Sequence, residues 1–116
     1  MQVKRGSIYL ANFNPSKGTE AGKIRPCLIV QSDFLNESAH PSTTVLPLTT
    51  CLIEDAAPLR YRIEARDLLQ SDSDIMLDQV RTLDNRRIQS EVLTTLSRTE
   101  MAEVVILLQT VLGFDF

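Results

Sequence analysis

Arg25 and Thr49 are the two residues whose chemistry and placement suggest the handling of a phosphate. Arg25 stands directly before the apolar run Pro26–Gln31 (PCLIVQ), fixed between a rigid segment and the ring of Pro26. A guanidinium held this way presents a planar fork of donors that matches phosphate oxygens. Thr49 lies at the end of a second run, Thr43–Thr50 (TTVLPLTT), where a hydroxyl can hydrogen-bond a phosphate oxygen. Spacing alone leaves open whether the two meet, and an arginine before a strand, taken by itself, is more often an ordinary surface residue. Charge distribution adds a second signal. The net charge of −3 argues against nucleic-acid binding in bulk. Residues 1–27, however, hold five basic residues (Lys4, Arg5, Lys17, Lys23 and Arg25) against Glu20 alone, while the remainder holds seven basic against fourteen acidic. An acidic protein can therefore carry a local basic patch.

Other chemistries lack their residues. One histidine, His40, and two distant cysteines, Cys27 and Cys51, give no zinc spacing. A two-histidine ribonuclease mechanism is impossible inside one such chain. His40 precedes Pro41 in a polar stretch and reads as a surface residue, and Cys27, inside an apolar run, reads as a buried structural thiol. There is no glycine-rich phosphate loop and no Gly-x-Ser-x-Gly elbow. Asp72 and Asp74, in a Ser-Asp-Ser-Asp run, read as a solvated turn rather than an acid/base pair. No metal or cofactor is expected.

The elements that must position these residues are mostly short strands. Ser7–Phe13 is β-favouring and stops at Asn14-Pro15, and Asn14–Lys23, with Pro15, Gly18 and Gly22, reads as a loop. Pro26–Gln31 reads as a buried strand and Ser32–Ser42 as a loop. Thr43–Thr50 reads as a strand in which Pro47 implies an edge position or a bulge. Leu59–Glu64 alternates strictly between apolar and charged, the mark of a half-buried antiparallel strand, and Ile75–Val80 reads as a further strand. Leu83–Leu96 is ambiguous between helix and strand. Ser97-x-x-Glu100 is a capping box, followed by apolar residues at helical spacing from Met101 to Leu112 and a stop at Gly113, which predicts a helix over about residues 98–112. Strands first and a helix last, over 116 residues, predict one mainly β domain spanning 1–116, a small antiparallel barrel or strongly twisted sheet with a C-terminal helix.

Three stretches in register carry a resemblance. Arg5-Gly6-Ser7-Ile8-Tyr9 with Asn14-Pro15-x-Lys17-Gly18-Thr19-Glu20 and Gly22-x-Ile24-Arg25-Pro26 is similar to the N-terminal signature of the MazF/PemK toxins. Val45-Leu46-Pro47-Leu48-Thr49 resembles that family's second motif, and Leu77-Asp78-Gln79-Val80-Arg81-Thr82-Leu83-Asp84 its third. The resemblance covers nearly the whole chain. It departs at Ser7, where many members carry an acid, at Asp78, where a close subgroup carries Glu, and in the absence of Trp.

The resemblance implies an SH3-like barrel of the CcdB/PemK type and a sequence-specific, metal-independent endoribonuclease acting on single-stranded RNA. Its catalytic arginine falls on Arg25, its catalytic hydroxyl on Thr49 and its loop acid on Glu20. Lys17, Thr19, Lys23, Asp78, Gln79 and Arg81 are expected to bind RNA. Because a guanidinium is a poor base at neutral pH, Glu20 is the better candidate base, against the simpler role of balancing Lys17 or Lys23. A homodimer and an antitoxin with an acidic, disordered segment are the expected partners. A gyrase-poisoning toxin of the CcdB type and a non-catalytic RNA- or peptide-binding barrel remain the alternatives. No stretch is long and apolar enough for a membrane span or a signal sequence, so a cytoplasmic protein is expected.

Overall fold

The computed structural model describes residues 2–114. Seven strands form one antiparallel sheet: β1 (Ser7–Asn12), β2 (Ile24–Ile29), β3 (Ser42–Thr49), β4 (Arg60–Ile63), β5 (Ser73–Met76), β6 (Arg81–Asp84) and β7 (Ile88–Thr95). Two helices complete the order, α1 (Asp33–Glu37) between β2 and β3 and α2 (Arg98–Leu112) at the end. The strands run β4-β5-β3-β2-β1-β7, with β6 joined to β3, and the path stays open, ending on β4 and β7.

The central strands are continuous apolar runs because both of their faces are buried. Ile8, Leu28, Leu46 and Leu48 pack on one face with Ile75, Leu77 and Val104. Their alternates Tyr9, Ala11, Cys27, Ile29 and Val45 pack on the other with Phe13 and Leu83. Full burial of such an aliphatic side chain is worth roughly 1.5–3 kcal/mol, which a two-sided sheet collects at every position. Helix α2 covers the first face, setting Met101, Leu107, Leu108 and Val111 against it.

The capping box predicted for α2 is present: the Ser97 hydroxyl accepts from Glu100 N at 3.1 Å and the Glu100 carboxylate accepts from Ser97 N at 2.8 Å. Gly113 closes the helix at φ 81°, a left-handed position suited to glycine. Among the described residues, no helix is long and apolar enough to cross a membrane.

Three expectations change and one open reading is resolved. Part of the predicted loop Ser32–Ser42 is helix α1, capped by the Ser32 hydroxyl and tied down by buried Asn36, which donates to Gln31 O at 3.2 Å and Asp33 Oδ1 at 3.0 Å. Strand β3 is interior rather than an edge. Its outer flank pairs with β6 through Ser42–Val45 and with β5 through Leu48–Thr49, and Pro47 falls in the break between them, where a proline is tolerated. The predicted strand Ile75–Val80 ends at Met76. Leu77–Gln79 is a 3-10 turn, drawn in by the bond from Leu77 N to Leu59 O at 2.9 Å. The ambiguous segment 83–96 resolves into the end of β6, a short 3-10 turn and β7.

Candidate functional site

Strands β2 and β3 pair with Cys27 opposite Pro47 and Leu28 opposite Leu46. Continued by two residues, that register sets Arg25 across from Thr49. The side chain of Arg25 confirms the approach: Nη1 donates to Leu48 O at 3.2 Å and Nε to Gly22 O at 2.7 Å. The two carbonyls fix the plane of the guanidinium, and its remaining donors are left for an anion. Arg25 and Thr49 are both half-buried and line one cleft of about 230 Å³ together with Lys23, Thr50, Cys51 and Ser73. Thr49 Oγ1 accepts from Cys51 N at 3.1 Å. A hydroxyl that accepts from a neighbouring N–H keeps its own proton to donate, so Thr49 is set up as a donor at the cleft.

A second cleft, of about 240 Å³, is lined by Thr19, Glu20, Asp78, Gln79 and Arg81 among others. Its wall includes Pro47, chain neighbour of Leu48 in the first cleft. Gln79 acts as a substitute strand partner for the β1–β2 loop: its amide donates to Thr19 O at 3.2 Å and accepts from Ala21 N at 3.1 Å. Arg81 Nη1 donates to Phe13 O at 3.0 Å and Ala21 O at 3.4 Å, with its guanidinium 5.8 Å from the Phe13 ring centroid. Both side chains therefore hold the loop 14–23 in place. Asp78 is exposed.

The loop is polar and its side chains look outward. Lys17, Thr19, Glu20 and Lys23 are all exposed. Glu20 folds back on its own loop, Oε1 accepting from Lys17 N at 3.0 Å. Lys23 takes a left-handed φ of 69°, pinned by Lys23 N to Asn14 Oδ1 at 2.8 Å and by Phe13 N to Lys23 O at 2.8 Å. The structure thus groups Lys23, Arg25 and Thr49 in one cleft. It groups Thr19, Glu20, Asp78, Gln79 and Arg81 in the adjoining one. Lys17 lies outside both linings.

Some participants were not singled out from sequence. The carbonyls of Gly22 and Leu48 and the N–H of Cys51 are backbone groups, which residue type does not announce. Gly22 does carry a signal, as part of the Gly-x-Ile-Arg-Pro stretch. A Cβ there would meet Ser16 Oγ at 2.7 Å, Ser16 Cβ at 2.9 Å and Asn14 Oδ1 at 3.2 Å, so a larger residue would push the loop out of its present position. Asp74 overturns its reading as part of a solvated turn. Its side chain is 1% exposed and takes Arg62 Nε at 2.9 Å, Arg60 Nη1 at 3.3 Å and Ile53 N at 2.9 Å. Burial pushes the Asp74 carboxyl up, but the hydrogen bonds from Arg62 and Ile53 and the two cations outweigh it and hold it below the usual carboxylate range. The alternation of Arg60 and Arg62 on one face of β4 was the available hint of a buried acid. Asp72 does lie exposed, accepting from Ala65 N at 2.8 Å. His40 is exposed, and Cys27 is buried, its thiol pushed up to about 12 by desolvation. Among the described residues, no three His, Cys, Asp or Glu side chains converge as a metal site.

Comparison with known proteins places this geometry. The chain is 38% identical over 114 residues to the endoribonuclease MazF of Staphylococcus epidermidis, covering 97% of this chain and 93% of that protein. It resembles a crystal structure of MazF from Deinococcus radiodurans, with a TM-score of 0.80 at 26% identity, over 97% of this chain and 98% of that one. It shares the fold of a mycobacterial endoribonuclease solved in complex with its cognate antitoxin, with a TM-score of 0.75 at 19% identity over 98% of both chains. The family model for PemK-like, MazF-like toxins of type II toxin–antitoxin systems matches residues 4–112. With that match running through both clefts and the helix behind them, the chain belongs to the PemK-like, MazF-like toxin family.

Proposed function

We propose that this chain is the ribonuclease of a toxin–antitoxin pair, cutting single-stranded RNA with Arg25 and Thr49 at the reacting phosphate. The observation that carries the reading is the Arg25 guanidinium braced on Leu48 O beside the Thr49 hydroxyl in one open cleft. In the proposed reaction the ribose 2′-oxygen attacks the adjacent phosphorus, a 2′-O–P bond forms and the P–O5′ bond breaks. The products are a 2′,3′-cyclic phosphate and a 5′-OH. Arg25 and Thr49 stabilise the charge that develops on the phosphorane oxygens, and Arg25 also protonates the leaving 5′-oxygen. The 2′-proton is assigned to Glu20. Because Glu20 sits at the adjoining cleft, this role calls for its carboxylate to swing into hydrogen-bond reach of the 2′-oxygen as an RNA strand bridges both clefts. Such bridging suits single-stranded RNA, whose bases splay, and gives Lys17, Thr19, Lys23, Asp78, Gln79 and Arg81 their proposed RNA contacts.

The expected assembly is a cytoplasmic homodimer neutralised by an antitoxin with an acidic, disordered segment. Support for the dimer comes from α2, which leaves Ile106 61% and Leu112 48% exposed. The test of function is incubation of purified protein with a long RNA and sequencing of the new 5′ ends. Ends gathered on one short motif support the reading. A gyrase-poisoning toxin or a binding-only barrel would leave the RNA intact.

A further inference from the structure

Thr49 lies between two strands that contribute to it differently. On one side is Arg25. On the other, β3 pairs with β5 so that Thr49 stands opposite Asp74. Asp74 is buried and outside the lining of that cleft: its carboxylate faces Arg60, Arg62 and the backbone of Ile53. Those same arginines reach the backbone of the segment that follows Thr49. Arg60 Nη1, which holds Asp74, also donates to Cys51 O at 3.2 Å, and Arg62 Nη2 donates to Ile53 O at 3.2 Å. Cys51 N in turn donates to Thr49 Oγ1 at 3.1 Å. Bonds thus run from buried Asp74 through Arg60 to the Cys51 carbonyl and, across the Cys51 Cα, from the Cys51 N–H to the reacting hydroxyl.

We infer that Asp74 and Arg60 are positioning residues that hold Cys51 by its carbonyl, keep its N–H on Thr49 Oγ1 and thereby aim the Thr49 hydroxyl proton into the cleft. The segment around Cys51 needs such a device, because Thr50–Asp55 are all exposed and have no apolar anchor. Loss of the Arg60 bond would leave the segment's backbone tied to Asp74 and Arg62 only at Ile53 and loosen the Cys51 N–H that holds the Thr49 hydroxyl. Arg60 suits the task because one guanidinium has enough donors, in a rigid plane, to bond a carboxylate and a carbonyl together. A lysine at the same place is a single point charge that keeps the attraction to Asp74 and loses the fixed geometry.

This inference rests on the catalytic reading of Thr49, and a double-mutant cycle separates the two. Single-turnover cleavage of a defined RNA is measured for Arg60→Gln, Thr49→Ala and the double variant, with melting temperature as the check on folding. Arg60→Lys is included as the milder change, retaining the ion pair where Arg60→Gln loosens the fold. Each Arg60 variant is expected to lower the saturating single-turnover rate by about tenfold, with the half-saturating protein concentration changed by less than about twofold. In the Thr49→Ala background, the same Arg60 changes are expected to cost nothing further, because their effect passes through the missing hydroxyl. Additive losses, or an Arg60→Lys variant with the wild-type single-turnover rate, would overturn the positioning role while leaving Thr49 in place. Wild-type cleavage by Thr49→Ala would instead remove the catalytic reading itself, and this inference with it.

Discussion

The Arg25 guanidinium reaches across β2 and β3 to bond Leu48 O at 3.2 Å, the carbonyl immediately before Thr49. The bond ties the cation to the hydroxyl's own strand. Its other anchor, Gly22 O at 2.7 Å, belongs to the β1–β2 loop. Arg25 is therefore held in place both by the sheet and by the loop.

Gly22 tests the loop's share of that arrangement. A Cβ at Gly22 would press on Ser16 and Asn14 in an exposed segment that can shift. Gly22→Ala is expected to lower RNA cleavage by about tenfold, since small misplacements of a catalytic group are costly. Its melting temperature should stay within a few degrees of wild type, roughly the shift of ~0.5 kcal/mol. Unchanged cleavage would mean that the loop does not help place Arg25.

A second prediction concerns acid stability. The Arg66 side chain lies beside Glu100, with Nη1 and Nη2 on its two carboxylate oxygens at 2.7 and 2.9 Å, and lowers the Glu100 carboxyl from an ordinary 4.5 to about 2. A depressed acid stabilises the fold above its unfolded value and loses that contribution as pH falls through its folded one. The Glu100 contribution should be complete above pH 4.5 and fade towards pH 2. Glu100→Gln is expected to cost about 1 kcal/mol at neutral pH, the scale of a helix cap joined to a solvent-screened ion pair. Urea melts at pH 7 and pH 3 check this: the gap between the proteins should narrow at the lower pH.

The helix bearing that pair was legible in the sequence because its signals are local: Ser97, Glu100, Gly113 and a 3.6-residue repeat. Strand β4 was legible for the same reason, from the alternation of Leu59, Tyr61 and Ile63 with charged neighbours. What escaped depended on distant partners. Helix α1 is too short to form on propensity alone and is held by Gln31 and Asn36 side-chain bonds. The apolar residues of Ile75–Leu77 carry no sign that Leu77 turns in to Leu59 O. Burial of Asp74 follows from the β4–β5 register, which sets it opposite Arg62. At the site, Arg25 and Thr49 were identifiable by type and resemblance, but their approach needed the β2–β3 register. Gln79 and Arg81 were identified through the resemblance as RNA-binding candidates, while their shared cleft and their grip on the β1–β2 loop appeared only in three dimensions.

A third prediction concerns regulation. Lys17 and Lys23 are exposed on the loop beside the clefts, where an acidic antitoxin segment and RNA phosphates would meet the same cations. Lys17→Glu and Lys23→Glu are expected to weaken both ligands together, each by about tenfold at low salt, with both affinities falling as salt rises. The check is to measure both dissociation constants across a salt series. A loss of RNA affinity with antitoxin affinity untouched would place the antitoxin on another surface.

A fourth concerns the products. The chain supplies Arg25, Thr49 and Glu20 for the proposed chemistry and, among the described residues, no convergent set of metal ligands. Cleavage is expected to persist in excess EDTA and to leave 2′,3′-cyclic phosphate and 5′-OH ends, read by end-specific labelling. Loss of cleavage in EDTA with rescue by Mg²⁺ would point to a different active site.

The most direct test of the catalytic pair is single-turnover RNA cleavage by Arg25→Ala and Thr49→Ala, each shown to be folded by circular dichroism and thermal melting. With Arg25 and Thr49 stabilising the reacting phosphate, each variant should cut a defined RNA at least ~10²-fold more slowly than wild type, the usual scale for a lost electrostatic stabiliser. A folded variant of either kind that cuts at the wild-type rate would contradict the assignment.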